Sequence, residues 1–176
     1  FVSLLILSSC QSPASFSNLK LNFEHLEKFF LEVNEVEINN AYKPPYKRPN
    51  VDHLYEETLT EIANRYFRYK FDTTNANKRL RVIIREASLK KNLQNSSQKL
   101  EFFKIFNDNS NSIYSAVFKI ELQIINERGF ILTKINTDIF LNKKERNNLS
   151  INEDLKIYFE ICEELILLLD KQLFKQ

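Results

Sequence analysis

Few residues in this chain have the type and spacing to do chemistry, and the foremost is a cysteine near its start. Cys10 closes the run Phe1-Val2-Ser3-Leu4-Leu5-Ile6-Leu7-Ser8-Ser9, and polar Gln11-Ser12-Pro13 follows at once. An aliphatic Leu7 before small Ser8 and Ser9 lets the backbone lie extended in a peptidase groove, and the Cys10 thiol is a nucleophile that can take up a diacylglyceryl group. The competing reading makes Val2 to Leu7 a buried strand and Cys10 a core thiol. The run is shorter than the roughly 20 apolar residues of a transmembrane helix, and it sits where targeting segments belong.

The other chemically capable side chains read as structural. Cys162 lies in Tyr158-Phe159-Glu160-Ile161-Cys162-Glu163-Glu164-Leu165, an apolar helical stripe, and reads as a small buried hydrophobe rather than a reactive thiol. With Cys10 acylated, one thiol cannot close an internal disulfide. His25 and His53 stand far apart, and neither has a second histidine or cysteine at metal spacing. His53 beside Asp52 reads as a solvated loop pair or a turn hydrogen bond before it reads as a site acid. Glu56, Glu57, Glu61, Glu163 and Glu164 fall at helix starts or on polar faces, where capping and solvation account for them. One glycine in the chain excludes most phosphate-cradling loops and the usual serine-hydrolase elbow, both of which need backbone without a Cβ. The expectation is therefore no catalytic residue, no metal, no cofactor and no enzymatic activity.

Leu7-Ser8-Ser9-Cys10 resembles the lipobox of secreted bacterial lipoproteins. The resemblance implies a partial signal peptide over 1–9 and a lipidated Cys10; composition and length then give a flexible tether over 10–22 and a single domain over 23–176, which the element order below makes α+β. The Ser, Pro and Asn content between Gln11 and Asn22 suits such a tether. The chain contains no methionine, so the charged start of the leader is expected to precede Phe1. Gln11 rather than Asp after the cysteine implies sorting to the outer membrane, with the domain on the periplasmic side.

The elements that must position any site follow from periodicity. Phe29, Leu31 and Val33 share one parity while Val36 and Ile38 share the other, which predicts one strand with a bulge near Asn34. Pro44, Pro45 and Pro49 then forbid helix and central strand, leaving an extended polyproline-like stretch from Tyr42 to Asn50. Thr58-Leu59-Thr60-Glu61 fits a capping box, and Leu59, Ile62, Ala63 and Tyr66 recur at helical spacing to about Phe71. Arg79 to Leu89 reads as the second strand. Tyr114, Ala116, Phe118, Ile120, Leu122 and Ile124 alternate without error, Gly129 supplies a positive φ for the turn, and Ile131, Ile135, Ile139 and Leu141 lie on the return strand. Ser150-Ile151-Asn152-Glu153 caps a last helix with a stripe of Leu155, Tyr158, Cys162, Leu165, Leu169 and Leu173. The order β-α-β-β-β-α predicts an α+β fold: a mostly antiparallel four-stranded sheet with two helices on one face.

Composition of 43% hydrophobic and 27% charged residues is that of a globular domain, and a net charge of +2 with mixed signs argues against nucleic acid. Three stretches qualify as contact surfaces. Leu100, Phe102, Phe103 and Phe106 lie between polar runs and read as an edge strand or flap over the core, or as an exposed patch for a partner or lipid. Arg79, Arg81 and Arg85 share one side of a strand, either its wet face or a site for lipid phosphate or an acidic partner. Pro44, Pro45 and Tyr46 form a preset surface that loses little entropy on docking.

Pro44-Pro45 followed by Pro49-Asn50-Val51-Asp52-His53, behind the lipobox, is similar to a group of alphaproteobacterial lipoproteins. The element order resembles small periplasmic lipoproteins that serve as auxiliary parts of envelope transport and assembly machines. The resemblance implies a lipid-anchored, non-catalytic accessory or adaptor with the membrane and an envelope protein as partners. A carrier of lipid or another small ligand is the alternative, and would need a cavity of several hundred Å³. A hydrolase of unrecognised type is the third class, and would need polar groups converging in a cleft.

Overall fold

The computed structural model describes residues 20–94, 111–173 and 175. Its elements are β1 (Phe29–Leu31), β2 (Glu35–Asn40), a 3-10 turn (Asp52–Leu54), α1 (Leu59–Lys70), β3 (Phe71–Thr73), β4 (Lys78–Gln94), β5 (Asn111–Asn126), β6 (Ile131–Arg146) and α2 (Ile151–Leu173). The α+β class and the two helices over one sheet face agree with the sequence. The sheet does not fully agree: it runs β2-β4-β5-β6 with β2 parallel to β4, so it is mixed, and a second two-stranded parallel sheet joins β1 to β3. The parallel pair follows from the chain order, because β2 is joined to β4 through α1, and such a crossover returns the chain in the same direction.

The single bulged strand expected over Phe29 to Ile38 is in fact two strands in two sheets. The parity switch lies where expected, but Val33 is buried and its carbonyl accepts from the Thr74 amide at 2.9 Å, while the Asn34 amide donates to the Lys78 carbonyl at 2.7 Å. The chain thus leaves β3 at Val33 and joins β4 at Asn34. β3 has no counterpart in the sequence reading: Phe71 turns out of α1 to pair with Phe29, their rings 6.1 Å apart.

Local signals elsewhere act as their chemistry dictates. Both capping boxes close: the Thr58 amide donates to Glu61 at 2.7 Å and the Ser150 amide to Glu153 at 2.8 Å, each returned by a hydroxyl accepting from the third residue's amide. Gly129 has φ 84°, and the turn is completed by the Asn126 side chain, which accepts from the Arg128 and Phe130 amides. The alternation in β5 places Tyr114, Ala116, Phe118 and Ile120 beneath the helices. On β4 the register slips between Ile84 and Glu86, leaving Arg85 as the extra residue of a bulge. The slip reverses parity, so Leu80, Val82 and Ile84 before it and Ala87 and Leu89 after it all enter one core. Leu21, Phe23 and Leu26 pack outside α1, with the Phe23 ring 5.8 Å from Tyr66. Among the described residues no helix is long and apolar enough to cross a membrane.

Candidate docking edge and cleft

The bulge at Arg85 decides how the proline segment is held. β2 covers the outer edge of β4 only to Ile84, whose carbonyl accepts from the Ala41 amide at 3.1 Å. Beyond it the edge would present unpaired backbone groups, and residues 49–51 take them up. The Val51 amide donates to the Leu89 carbonyl at 3.0 Å, and the Lys91 amide donates to the Pro49 carbonyl at 2.8 Å. Asn50 forms the bridge to Lys90. A proline suits this place because it accepts without needing to donate. Pro44 is half-buried and Pro45 is exposed. Tyr46 is 81% exposed, with its ring 5.5 Å from that of His53, and Leu54 on the following turn is 67% exposed.

Behind this surface lies a polar cluster that ties the segment to both helices. Asp52 is buried, and its Oδ1 accepts from the Leu59 amide at the start of α1 at 2.8 Å and from the Tyr158 hydroxyl at 3.4 Å. Burial pushes its carboxyl up to about 6, against the pull of the Leu59 amide and the Tyr158 hydroxyl. Asp52 therefore acts as a helix-start acceptor, and the Asp52-His53 pair does not form a hydrogen-bonded dyad: Asp52 Oδ2 and His53 Nδ1 are each without a protein partner. Tyr158 also donates to the Glu57 carbonyl at 2.6 Å and stacks on Tyr55 with ring centroids 3.7 Å apart. Asp154 gathers the rest: Tyr55 and Lys91 donate to it at 2.8 Å each, and Tyr114 donates as well. Burial alone would raise the Asp154 carboxyl, but Lys91, Tyr114 and Tyr55 together hold it below the usual range. Burial, then Asp154, pushes the Tyr55 and Tyr114 phenols up, so they stay neutral donors. Cys162 lies beneath Tyr158, and burial pushes its thiol up, which leaves it inert in the way its stripe position implies.

Tyr55 and Tyr158 also form one wall of a cleft of about 690 Å³ between the start of α1 and the first turns of α2. Ile62, Leu155 and Phe159 give it an apolar floor, and Glu56, Glu57, Glu61 and Glu160 stand at its rim. Three of these carboxylates are already engaged: Glu57 with Arg65 at 2.8 Å, Glu61 in the capping box, and Glu160 with Lys143. The cleft is thus mainly an apolar recess.

The basic row occupies the opposite, open face of the sheet. Arg79 is half-buried, Arg81 pairs with Glu37 at 3.1 Å, and Arg85 pairs with Glu121 at 2.5 Å. Glu121 also receives Lys134 at 3.0 Å, and Glu86 receives Lys119 at 2.8 Å. Although Glu121 is buried, which alone would raise its carboxyl, Lys134, Arg85 and Gln123 hold it down to about 2. The arginines and Pro44, Pro45 and Tyr46 therefore occupy two separate surfaces. Cys10, Leu100, Phe102, Phe103 and Phe106 lie outside the described residues.

Asp154, Lys91, Tyr55 and Tyr114 do not stand out in the sequence, because they come from four elements and share no spacing. The one available signal is the abundance of tyrosine near buried stripes, since a buried hydroxyl needs an acceptor. Among the described residues no group of three or more His, Cys, Asp or Glu side chains is placed to hold a metal ion.

No protein-family model matches the chain, and no curated protein matches it. Among solved structures, the chain is similar to the crystal structure of a minor lipoprotein from Acinetobacter baumannii, with a TM-score of 0.43 and 14% sequence identity over 83% of this chain and 91% of that one.

Proposed function

We propose that this chain is a bacterial lipoprotein, anchored through Cys10 to the periplasmic side of the outer membrane, that acts as a non-catalytic adaptor for an envelope protein. The anchor rests on Leu7-Ser8-Ser9-Cys10. The adaptor role rests on one observation: Tyr46 and Leu54 present exposed apolar surface on a segment clamped to β4 by backbone hydrogen bonds. An apolar anchor on pre-ordered backbone loses little entropy on docking, and that is how interface hot spots are built. Pro44 and Pro45 belong to the same surface. Replacing Tyr46 by Ala together with Leu54 by Ser should reduce crosslinking to an envelope partner at least about tenfold, with the melting temperature unchanged within about 2 °C. Undiminished crosslinking would remove this segment from the interface.

The cleft favours a second reading, in which the domain carries an apolar ligand. About 690 Å³ with an apolar floor falls in the range of small-ligand sites. Native mass spectrometry of protein purified from membranes should then show an added lipid-sized mass that is lost when Leu155→Trp fills the recess. Protein that carries no such mass, and does not take up a fluorescent fatty acid, would leave the adaptor reading alone.

A further inference from the structure

β6 pairs only with β5, so among the described residues its other side is an open edge. The edge is long, and natural sheets usually blunt such edges. This one has a bulge at Leu132 and a charged end from Lys143 to Arg146, but it also carries exposed Ile131 (52%), Leu132 (54%) and Phe140 (61%). A groove of about 570 Å³ runs beside it, walled by Asp138, Ile139 and Phe140 on the strand and by Leu168 and Lys171 on α2.

We infer that this edge is a docking surface for a second copy of the same chain, with the two β6 strands antiparallel about a two-fold axis at Asn136. The sequence of β6 is self-complementary in that register. Lys134 faces Asp138 of the second copy and Asp138 faces its Lys134. Leu132 faces Phe140 and Phe140 faces Leu132. Lys134, Asp138 and Phe140 lie on the open face, as the pairing with β5 requires, in which Gln123 opposes Lys134, Lys119 opposes Asp138 and Val117 opposes Phe140. Leu132 is the extra residue of a bulge between the Ile131–Ile125 and Thr133–Ile124 pairs, so the regular strand that carries the charge pairs begins at Thr133. Toward the helices, Thr133 faces Ile139 and Ile135 faces Thr137, which brings a strand of the second copy alongside the groove under Leu168.

Neighbouring registers lack this match. An axis at Asp138 sets two aspartates opposite each other, and one at Lys134 sets two lysines opposite each other. Moving the axis one residue places Leu132 against Asp138 or Lys134 against Phe140. Cross-strand charge and apolar pairs each favour pairing, and like charges directly opposite oppose it. A two-fold axis also makes every contact occur twice, as expected of an isologous interface. The product is a continuous eight-stranded sheet with both helix layers on one side. The axis is perpendicular to the sheet, so both copies present the same face to whatever lies beyond it.

The test uses the full chain carrying Cys10→Ala, so that no acyl group drives association, followed by sedimentation velocity over a concentration series. A concentration-dependent dimer is expected. Lys134→Glu and Asp138→Lys should each weaken it by about tenfold or more, since each makes two like-charge pairs. An equimolar mixture of the two variants should restore dimers. In the mixed dimer the glutamate introduced at position 134 of one chain meets the lysine introduced at position 138 of the other, while the unaltered Asp138 of the first meets the unaltered Lys134 of the second. That restoration also shows that both variants are folded, which matters because Lys134 contacts Glu121 within the chain. A chain that stays monomeric at about 0.1 mM, dimers unaffected by either variant, or a mixture that remains monomeric would each overturn the assignment.

Discussion

Asp170→Ala should lower the unfolding free energy by about 3 to 5 kcal/mol, the largest loss expected of any single polar substitution in the domain. Lys70, the last residue of α1, is fully buried, and its Nζ lies 2.5 Å from Asp170 Oδ1 on α2. The same ammonium donates to the Glu27 carbonyl and sits 4.7 Å from the Phe29 ring. Asp170 in turn accepts from the Tyr66 hydroxyl at 2.6 Å. One ion pair therefore joins the N-terminal segment, α1 and α2. Removing the carboxylate takes away the charge that balances a buried ammonium and the acceptor of a buried phenol. Water cannot readily replace the carboxylate beside the ammonium, because the Lys70 side chain is fully buried.

The pair is not thereby a net source of stability, since burying both charges costs much of what their attraction returns. Lys70→Met with Asp170→Leu should recover the part of the loss that comes from the unbalanced ammonium, because no charge is then left in the core, while the Tyr66 hydroxyl still lacks its Asp170 acceptor. Urea unfolding of Lys70→Met, of Asp170→Leu and of the double variant that combines them gives the coupling directly. A single-variant loss below about 1 kcal/mol would show that water or a neighbouring side chain reaches the site, and that the core is open at this point.

What can be read in advance, and what cannot, divides along sequence distance. The capping boxes at Thr58 and Ser150, the turn at Gly129 and the alternation from Tyr114 to Ile124 are each decided by residues within one element and its neighbour, and each stands as expected. The parity switch around Asn34 is legible too, but its meaning is not. A bulge within one sheet and a transfer between two sheets leave the same trace in hydrophobic order, and what separates them is the pairing of Val33 with Thr74 and of Asn34 with Lys78, some forty residues on. β3 is hidden for the same reason: Phe71-Asp72-Thr73 is too short to show a period and becomes a strand only because Phe29 lies beside it.

The candidate site shows the same division. That three prolines preset the backbone follows from the fixed φ of each, but the stretch expected to be extended from Tyr42 to Asn50 is not extended throughout: it bends at Tyr46 and turns through Pro49, with the Asn50 amide donating to the Lys47 carbonyl at 3.0 Å. That the segment is clamped to β4 depends on the bulge at Arg85, which ends the cover given by β2 and frees an edge for Pro49 and Val51. The basic row is legible as one face of a strand, but its meaning depends on Glu37 and Glu121, which approach from neighbouring strands and engage Arg81 and Arg85. Any phosphate or acidic partner would compete with those carboxylates.

The second large effect concerns the anchor. In cells fed an alkyne fatty acid, wild-type protein should be labelled and recovered with membranes, whereas Cys10→Ala should be unlabelled and released in soluble form. The contrast is expected to be nearly complete, because membrane attachment of a folded domain by acylation depends steeply on chain number. Each buried methylene contributes roughly 0.8 kcal/mol, and one chain holds only marginally while two hold firmly. A diacylglyceryl group on the Cys10 sulfur supplies two at once. The label can be assigned without ambiguity: Cys162 is 1% exposed and its thiol is pushed up by burial, so it has neither the access nor the thiolate to be acylated in the folded protein. The tether residue that follows tests where the anchor is inserted. Gln11→Asp should leave labelling intact while moving the protein from the outer-membrane to the inner-membrane fraction, since the sorting expectation depends on that position alone. Equal labelling of wild type and Cys10→Ala would sink the lipoprotein reading. Labelling lost with membrane attachment retained would mean that apolar side chains hold the domain at the membrane in place of the lipid, those of an unremoved leader over 1–9 if the Cys10→Ala chain keeps its precursor mass, and Phe102, Phe103 and Phe106 if it does not.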